Sequence, residues 1–110
     1  MTLDELNSFI EERDAIMRDV KNGTVTERER ILARAVKLFE EAGELCDEVL
    51  ASMGWQRQEK LHGKKPDALA EEFADVVITL FLLGKTLGID APAALEKKMA
   101  KIRERDPAMH

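Results

Sequence analysis

Two short acidic pairs, Glu41-Ala42-Gly43-Glu44 and Glu72-Phe73-Ala74-Asp75, have the residue types and spacing to do chemistry. Residues three or four apart share a helix face, so on a helix each pair presents two carboxylates side by side. The first pair lies in "KLFEEAGELCDEVL", where Glu40, Glu41, Glu44, Asp47 and Glu48 crowd five carboxylates into nine residues. Like charges at this spacing repel by roughly 0.2–0.5 kcal/mol per pair. The second pair directly precedes the apolar run "VVITLFLLG", with Thr79 one turn further on. If the two strips face each other, four carboxylates converge: Glu41, Glu44, Glu72 and Asp75, with Glu48 as a fifth candidate.

Converging carboxylates in a partly buried site cannot all stay charged without compensation, and a divalent cation supplies it. Oxygen-only ligands select hard ions, which predicts Mg²⁺, with Mn²⁺ as a possible substitute. A di-iron bundle wants Glu-x-x-His on two helices. The only histidines are His62, three after Glu59 but in a polar, loop-like stretch, and His110, three after Pro107, so two helices carrying that motif are not present, which argues against that alternative.

These strips need helices to carry them. Thr2, with Asp4 and Glu5 behind it, starts a helix running to about Val20, and Gly23 suits its end. Thr26 and Glu29 form a capping box for a second helix that runs to about Met53 and stops at Gly54. Its apolar stripe is Ile31, Ala35, Leu38, Ala42, Leu45, Val49 and Met53, which predicts the core face, with the carboxylates flanking it. Cys46 reads as a buried structural thiol on that side. Residues 54–66 are polar and Gly-rich, hence a loop. A third helix starts near Asp67 and ends at Gly88. Asp90 then caps a fourth, with Pro92 in its first turn, running to about Arg105. No segment alternates as a strand. The expected fold is all-α, a four-helix bundle.

On the third helix Phe73, Val76, Val77, Leu80, Phe81, Leu83 and Leu87 cover most of the circumference, as on a helix buried on nearly all sides. Four helices of this size do not surround it alone. A second copy of the chain is therefore expected, giving a homodimer or a tetramer.

Composition narrows the function classes. The chain has 110 residues, 45% hydrophobic and 35% charged, enough for one domain over 1–110 with one modest core. A net charge of −5 argues against a nucleic-acid polymer as partner, since coating phosphates needs clustered Lys and Arg. A single cysteine excludes an internal disulfide framework. The first residues, "MTLDELNSFIEERD", lack the basic-then-apolar pattern of a signal peptide, and "VVITLFLLG" is too short to span a bilayer. The expectation is a cytoplasmic protein with no membrane partner.

"KLFEEAGEL" followed by "EEFADVVITLFLL" resembles the MazG-like all-α nucleoside triphosphate pyrophosphohydrolases, marked by E-x-x-E and then, some two dozen residues later, E-x-x-D. The motif-bearing core covers about residues 26–106. The resemblance implies a MazG-like bundle dimerising through its long central helices. It implies a reaction in which a (d)NTP and water give a (d)NMP and pyrophosphate with Mg²⁺, as house-cleaning of non-standard or excess nucleotides. Glu41 is then the expected base and metal ligand, with Glu44, Glu72 and Asp75 as ligands. Lys37, one turn before Glu41, is expected on the triphosphate. So are Lys98 and Arg103 of the last helix, which also carries Lys101 and Arg105. Lys98 matches a lysine that approaches the nucleotide in the family. An asparagine that follows it there is replaced by Ile102, which bears on nucleotide preference. Trp55 is a candidate for stacking on the base, and Gln56, Arg57, Lys60, His62, Lys64 and Lys65 for closing over it. Two alternatives stay open: a phosphoribosyl-ATP pyrophosphohydrolase, and a non-enzymatic acidic helical adaptor or antitoxin-like partner.

Overall fold

In the computed structural model residues 1–21, 25–54 and 67–109 are described. They form helices α1 (Leu3–Lys21), α2 (Glu27–Ser52), α3 (Ala68–Thr86) and α4 (Ala91–Arg105), then a 3-10 turn over Pro107–Met109. No strand occurs among the described residues. The helix ends follow from local chemistry. The Thr2 hydroxyl accepts from the Glu5 amide at 3.1 Å, Thr26 from the Glu29 amide at 3.1 Å, and Asp90 from the Ala93 amide at 3.1 Å. Each satisfies a donor that the first helical turn leaves unpaired. Gly54 and Gly88 follow α2 and α3 with φ of 74° and 73°, a left-handed conformation that glycine adopts without a Cβ clash. The expected stop at Gly23 lies outside the described residues.

α2 packs along α3, α1 lies against α3, and α4 folds back onto α1 and α3. The three first helices are tied by charge. Arg34 of α2 is buried, and its Nη1 donates to Asp14 Oδ1 of α1 at 2.6 Å and to the Leu82 carbonyl of α3 at 3.3 Å. It also donates to the Thr86 hydroxyl of α3. Arg18 extends the network, with Nε on Asp14 Oδ2 at 2.9 Å and a two-pronged bond to Glu27 at 2.9 Å on each oxygen. Burial alone pushes the Asp14 carboxyl up, but its bonds to Arg34 and Arg18 outweigh that and hold it below the usual range. No single described helix is long and apolar enough to cross a membrane.

The burial pattern corrects two expectations, for the α2 stripe and for Cys46. On α2 the fully buried residues are Arg34, Glu41, Glu48 and Ala51. The apolar stripe read as the core face is only half-buried at Ile31, Leu38, Ala42 and Leu45, and is exposed at Ala35, Val49 and Met53. Cys46 is exposed, not buried. On α3 only Leu82 is fully buried, while Phe73 is 63% exposed and Leu80 and Leu87 are also open. The reason is common to the α2 stripe and Cys46. Periodicity marks a side as apolar without saying what covers it, and in one protomer α2 meets α3 through its polar strip. The radius of gyration, 17.3 Å, reflects this openness; a closely packed chain of this length is near ~13 Å.

Candidate metal and nucleotide site

The α2–α3 packing brings Glu41, Glu72 and Asp75 together, with one oxygen of each within 4.8 Å of the others. Opposite edges of an Mg²⁺ coordination sphere lie about 4.2 Å apart, so the spacing suits such an ion. Glu41 is 7% exposed, Glu72 half-buried and Asp75 exposed, so the cluster opens toward solvent on its Asp75 side. Oε2 of Glu41 and Oε2 of Glu72 are buried and have no hydrogen-bond partner. Orphaned carboxylate oxygens are costly unless a cation or proton meets them. The donor set, all hard oxygen, fits a divalent ion of the Mg²⁺ type.

Electrostatics agree. Desolvation pushes the Glu72 carboxyl up, and the neighbouring charges of Glu44, Asp75 and Glu41 add to it. Among the described residues, Lys37 is the cation paired within the cluster, with its Nζ 3.1 Å from Glu41 Oε1. A hydrogen bond with Glu41 raises the Lys37 ammonium above its usual value. Glu44 lies beside Glu72, close enough to raise it, but is exposed and outside the three-oxygen cluster. Glu48 is buried one turn further along α2. Lys98 and Arg103 are exposed on α4 and do not line the space beside the carboxylates. Trp55 and the residues expected to close over a nucleotide lie outside the described residues.

A cavity of about 360 Å³ adjoins the cluster. Glu41 and Asp75 form part of its wall with Lys37, Thr79 and Ile78. Arg34 and Leu82 also line it, and Phe9, Arg13 and Met17 of α1 complete it. The sequence reading passed over these three. Their spacing of four residues was the available signal, since it puts all of them on one face of α1.

No curated protein and no solved structure matches the chain. The model of the MazG nucleotide pyrophosphohydrolase domain matches residues 30–110. That span contains both acidic pairs and the two helices that bring them together, so the chain belongs to the MazG nucleotide pyrophosphohydrolase domain family.

Proposed function

We propose that this chain hydrolyses a (d)NTP to the (d)NMP and pyrophosphate in an Mg²⁺-dependent reaction, removing non-standard or excess nucleotides in the cytoplasm. The observation that carries the reading is the meeting of Glu41, Glu72 and Asp75 with two buried, unpartnered oxygens, inside the family-matched segment. Mg²⁺, or Mn²⁺ in its place, supplies neutralisation of the substrate phosphates and a low-pKa water when bound. Glu41, Glu72 and Asp75 would hold it, and Glu44 would join through a rotamer change. The Glu41 carboxylate accepts the proton of the attacking water as the water oxygen bonds to the α-phosphorus. The bond from that phosphorus to the α–β bridging oxygen breaks, and the oxygen leaves with pyrophosphate. Lys37 fixes the Glu41 carboxylate through their ion pair and offsets phosphate charge. Lys98 and Arg103 are assigned to the triphosphate as well, and Trp55 to the base.

The reading includes a homodimer, alone or paired into a tetramer. Leu32, Val36, Phe39, Gly43, Cys46, Leu50 and Met53 recur every three and four residues along α2. Leu69, Phe73, Val76, Leu80, Leu83 and Leu87 do so on α3. Alternating three–four spacing is the pattern of helices that pair knobs-into-holes. Most of these positions are exposed, with Phe39 at 83%. Apart from its own helix and chain neighbours, no described residue comes within 4 Å of where a Cβ would stand on Gly43, which leaves room for a second helix. Two such seams on one protomer match two on another in a four-helix arrangement.

The test is a panel of NTPs and dNTPs incubated with the purified protein in Mg²⁺ and in EDTA, with pyrophosphate and orthophosphate assayed separately. Metal-dependent pyrophosphate with an NMP partner is the expected result. Orthophosphate instead reassigns the cleaved bond. Silence across the panel, with turnover of phosphoribosyl-ATP, names the histidine-pathway alternative. Silence with both, and no rise in melting temperature at millimolar Mg²⁺ with or without nucleotide, favours the non-enzymatic adaptor.

A further inference from the structure

The cavity beside the carboxylates is lined by both signs of charge. Glu41 and Asp75 supply the anions, and Arg13, Arg34 and Lys37 the cations. Two of these cations are already engaged. Arg34 is bonded to Asp14 and to the Leu82 carbonyl, and Lys37 Nζ stands 3.1 Å from Glu41 Oε1. Arg13 is in no ion pair among the described residues.

The sequence around Arg13 gives the reason. The positions three and four away on its helix are Phe9, Ile10, Ile16 and Met17, so no carboxylate faces it along α1. Arg18, by contrast, takes Asp14 four residues back, and Lys37 takes Glu41 four residues ahead. Phe9 and Met17 line the same cavity as Arg13, and an arginine stem covers apolar surface of this kind while its head stays in water. The Arg13 side chain is exposed, but its backbone is anchored. Ile10 is 1% exposed, and Asp14, next in sequence, is buried on Arg34. α1 does not turn or slide without breaking that ion pair, so Arg13 stays on the cavity wall.

A bound nucleotide needs such a group. A divalent ion that offsets the clustered carboxylates leaves the distal phosphates of a triphosphate uncompensated. Lys37 is shared with Glu41, and Lys98 and Arg103 do not line this space. A guanidinium presents a planar fork of donors that matches two phosphate oxygens at once. The direction agrees. Lys37 and Arg34 precede Glu41 on α2, whereas Trp55, assigned to the base, follows the end of that helix. With the α-phosphate at Glu41, the base and the distal phosphates depart on opposite sides, and Arg13 shares the phosphate side with Lys37.

We propose that Arg13 binds the β- and γ-phosphates of the nucleoside triphosphate and thereby makes the site favour a triphosphate over its monophosphate product. The inference rests on the pyrophosphohydrolase reading for the substrate. It gives α1, which precedes the family-matched segment, a direct contact with the nucleotide.

Two variants test it: Arg13→Gln, which removes the charge, and Arg13→Lys, which keeps it without the fork. Thermal melts establish that each is folded. Binding of inorganic tripolyphosphate and of the nucleoside monophosphates is measured by calorimetry in Mg²⁺, at low and at high salt. In Arg13→Gln the tripolyphosphate affinity should fall roughly tenfold to a hundredfold, the scale of a hydrogen bond to a charged group. Monophosphate affinity should stay near wild type, KM for (d)NTPs should rise with the tripolyphosphate loss, and Arg13→Lys should recover part of it. The ratio of variant to wild type should persist at high salt, where fields beyond a Debye length are screened. Unchanged tripolyphosphate binding in folded Arg13→Gln overturns the proposal while the reaction stands. So does an equal loss for the monophosphates, or a ratio that collapses to unity at high salt, since Arg13 then acts through the general field alone. Arg13-dependent tripolyphosphate binding without turnover of any nucleotide supports the phosphate contact and removes the reaction. A wild type that does not bind tripolyphosphate overturns the contact outright.

Discussion

On α2 the charged side chains withdrawn from water are Arg34, Glu41 and Glu48, whereas Leu32, Val36 and Phe39 on the opposite side are exposed. The two faces belong to one helix and are separated by about half a turn. An apolar face left in water costs roughly 25 cal/mol for each Å² that a partner would cover. A buried polar face is tolerable only when its charges are paired or liganded. Arg34 meets this condition inside the protomer, through Asp14 and Thr86. Glu41 meets it by half, with Oε1 on Lys37 and Oε2 unpartnered. One face is thus paired at one end and carries an unpartnered carboxylate oxygen at the other, while the second face is apolar and exposed.

The sharpest way to break this contrast is at Glu41. Glu41→Gln keeps the shape and removes the charge, so kcat for pyrophosphate release should drop about 10²–10⁴-fold. The Mg²⁺-induced rise in melting temperature should shrink with it, while the oligomeric state by light scattering stays the same. Full activity would move the base elsewhere.

At the completed end, Arg34→Leu strands the buried Asp14 carboxylate. The expected loss is about 3–5 kcal/mol in chemical denaturation. The double variant Arg34→Leu/Asp14→Leu should recover a large part of it, because no charge is then left unpaired. Failure of the second change to rescue would make Arg34 a packing residue only.

On the apolar side, Phe39→Glu places a charge in the proposed seam. The expected outcome is a halved mass in sedimentation, with a loss of about 1–3 kcal/mol in stability from the abolished contact. A wild-type monomer at all concentrations would remove the distinction between a site face and an interface face.

The smallest effect is a pH dependence. Glu72 is raised above its ordinary 4.5, so the folded state holds this proton to higher pH than the unfolded state does. Its contribution to stability is complete below 4.5 and fades as the pH climbs through the folded value. Asp14 and Glu27 are lowered, so their contributions are present above their ordinary values and fade as the pH falls. The metal-free melting temperature should therefore decline on both sides of a maximum. Glu72→Gln, or saturating Mg²⁺, should flatten the alkaline limb alone.

Much of this was legible in residue order. Thr2, Thr26 and Asp90 announced their helices because a cap is a local bond between near neighbours. The acidic pairs were legible because three-residue spacing fixes a face whatever lies around it. The burial of α2 was not, since the stripe from Ile31 to Met53 and the strip from Arg34 to Glu48 compete for α3, and only the tertiary contact decides. Phe9, Arg13 and Met17 escaped notice for a related reason: alone, α1 reads as an ordinary amphipathic helix. Cys46 was misjudged because apolar company was taken for cover.

The Asp14–Arg34–Thr86 junction has a consequence for how such chains can diverge. Its members come from three helices, and Asp14 precedes the family-matched segment while Arg34 and Thr86 lie within it. A substitution at Arg34 alone leaves a buried anion, so it survives in a lineage only where the residue at 14 has already become neutral. The two positions are expected to covary, and an α1 exchanged between lineages should be accepted only with its own arginine.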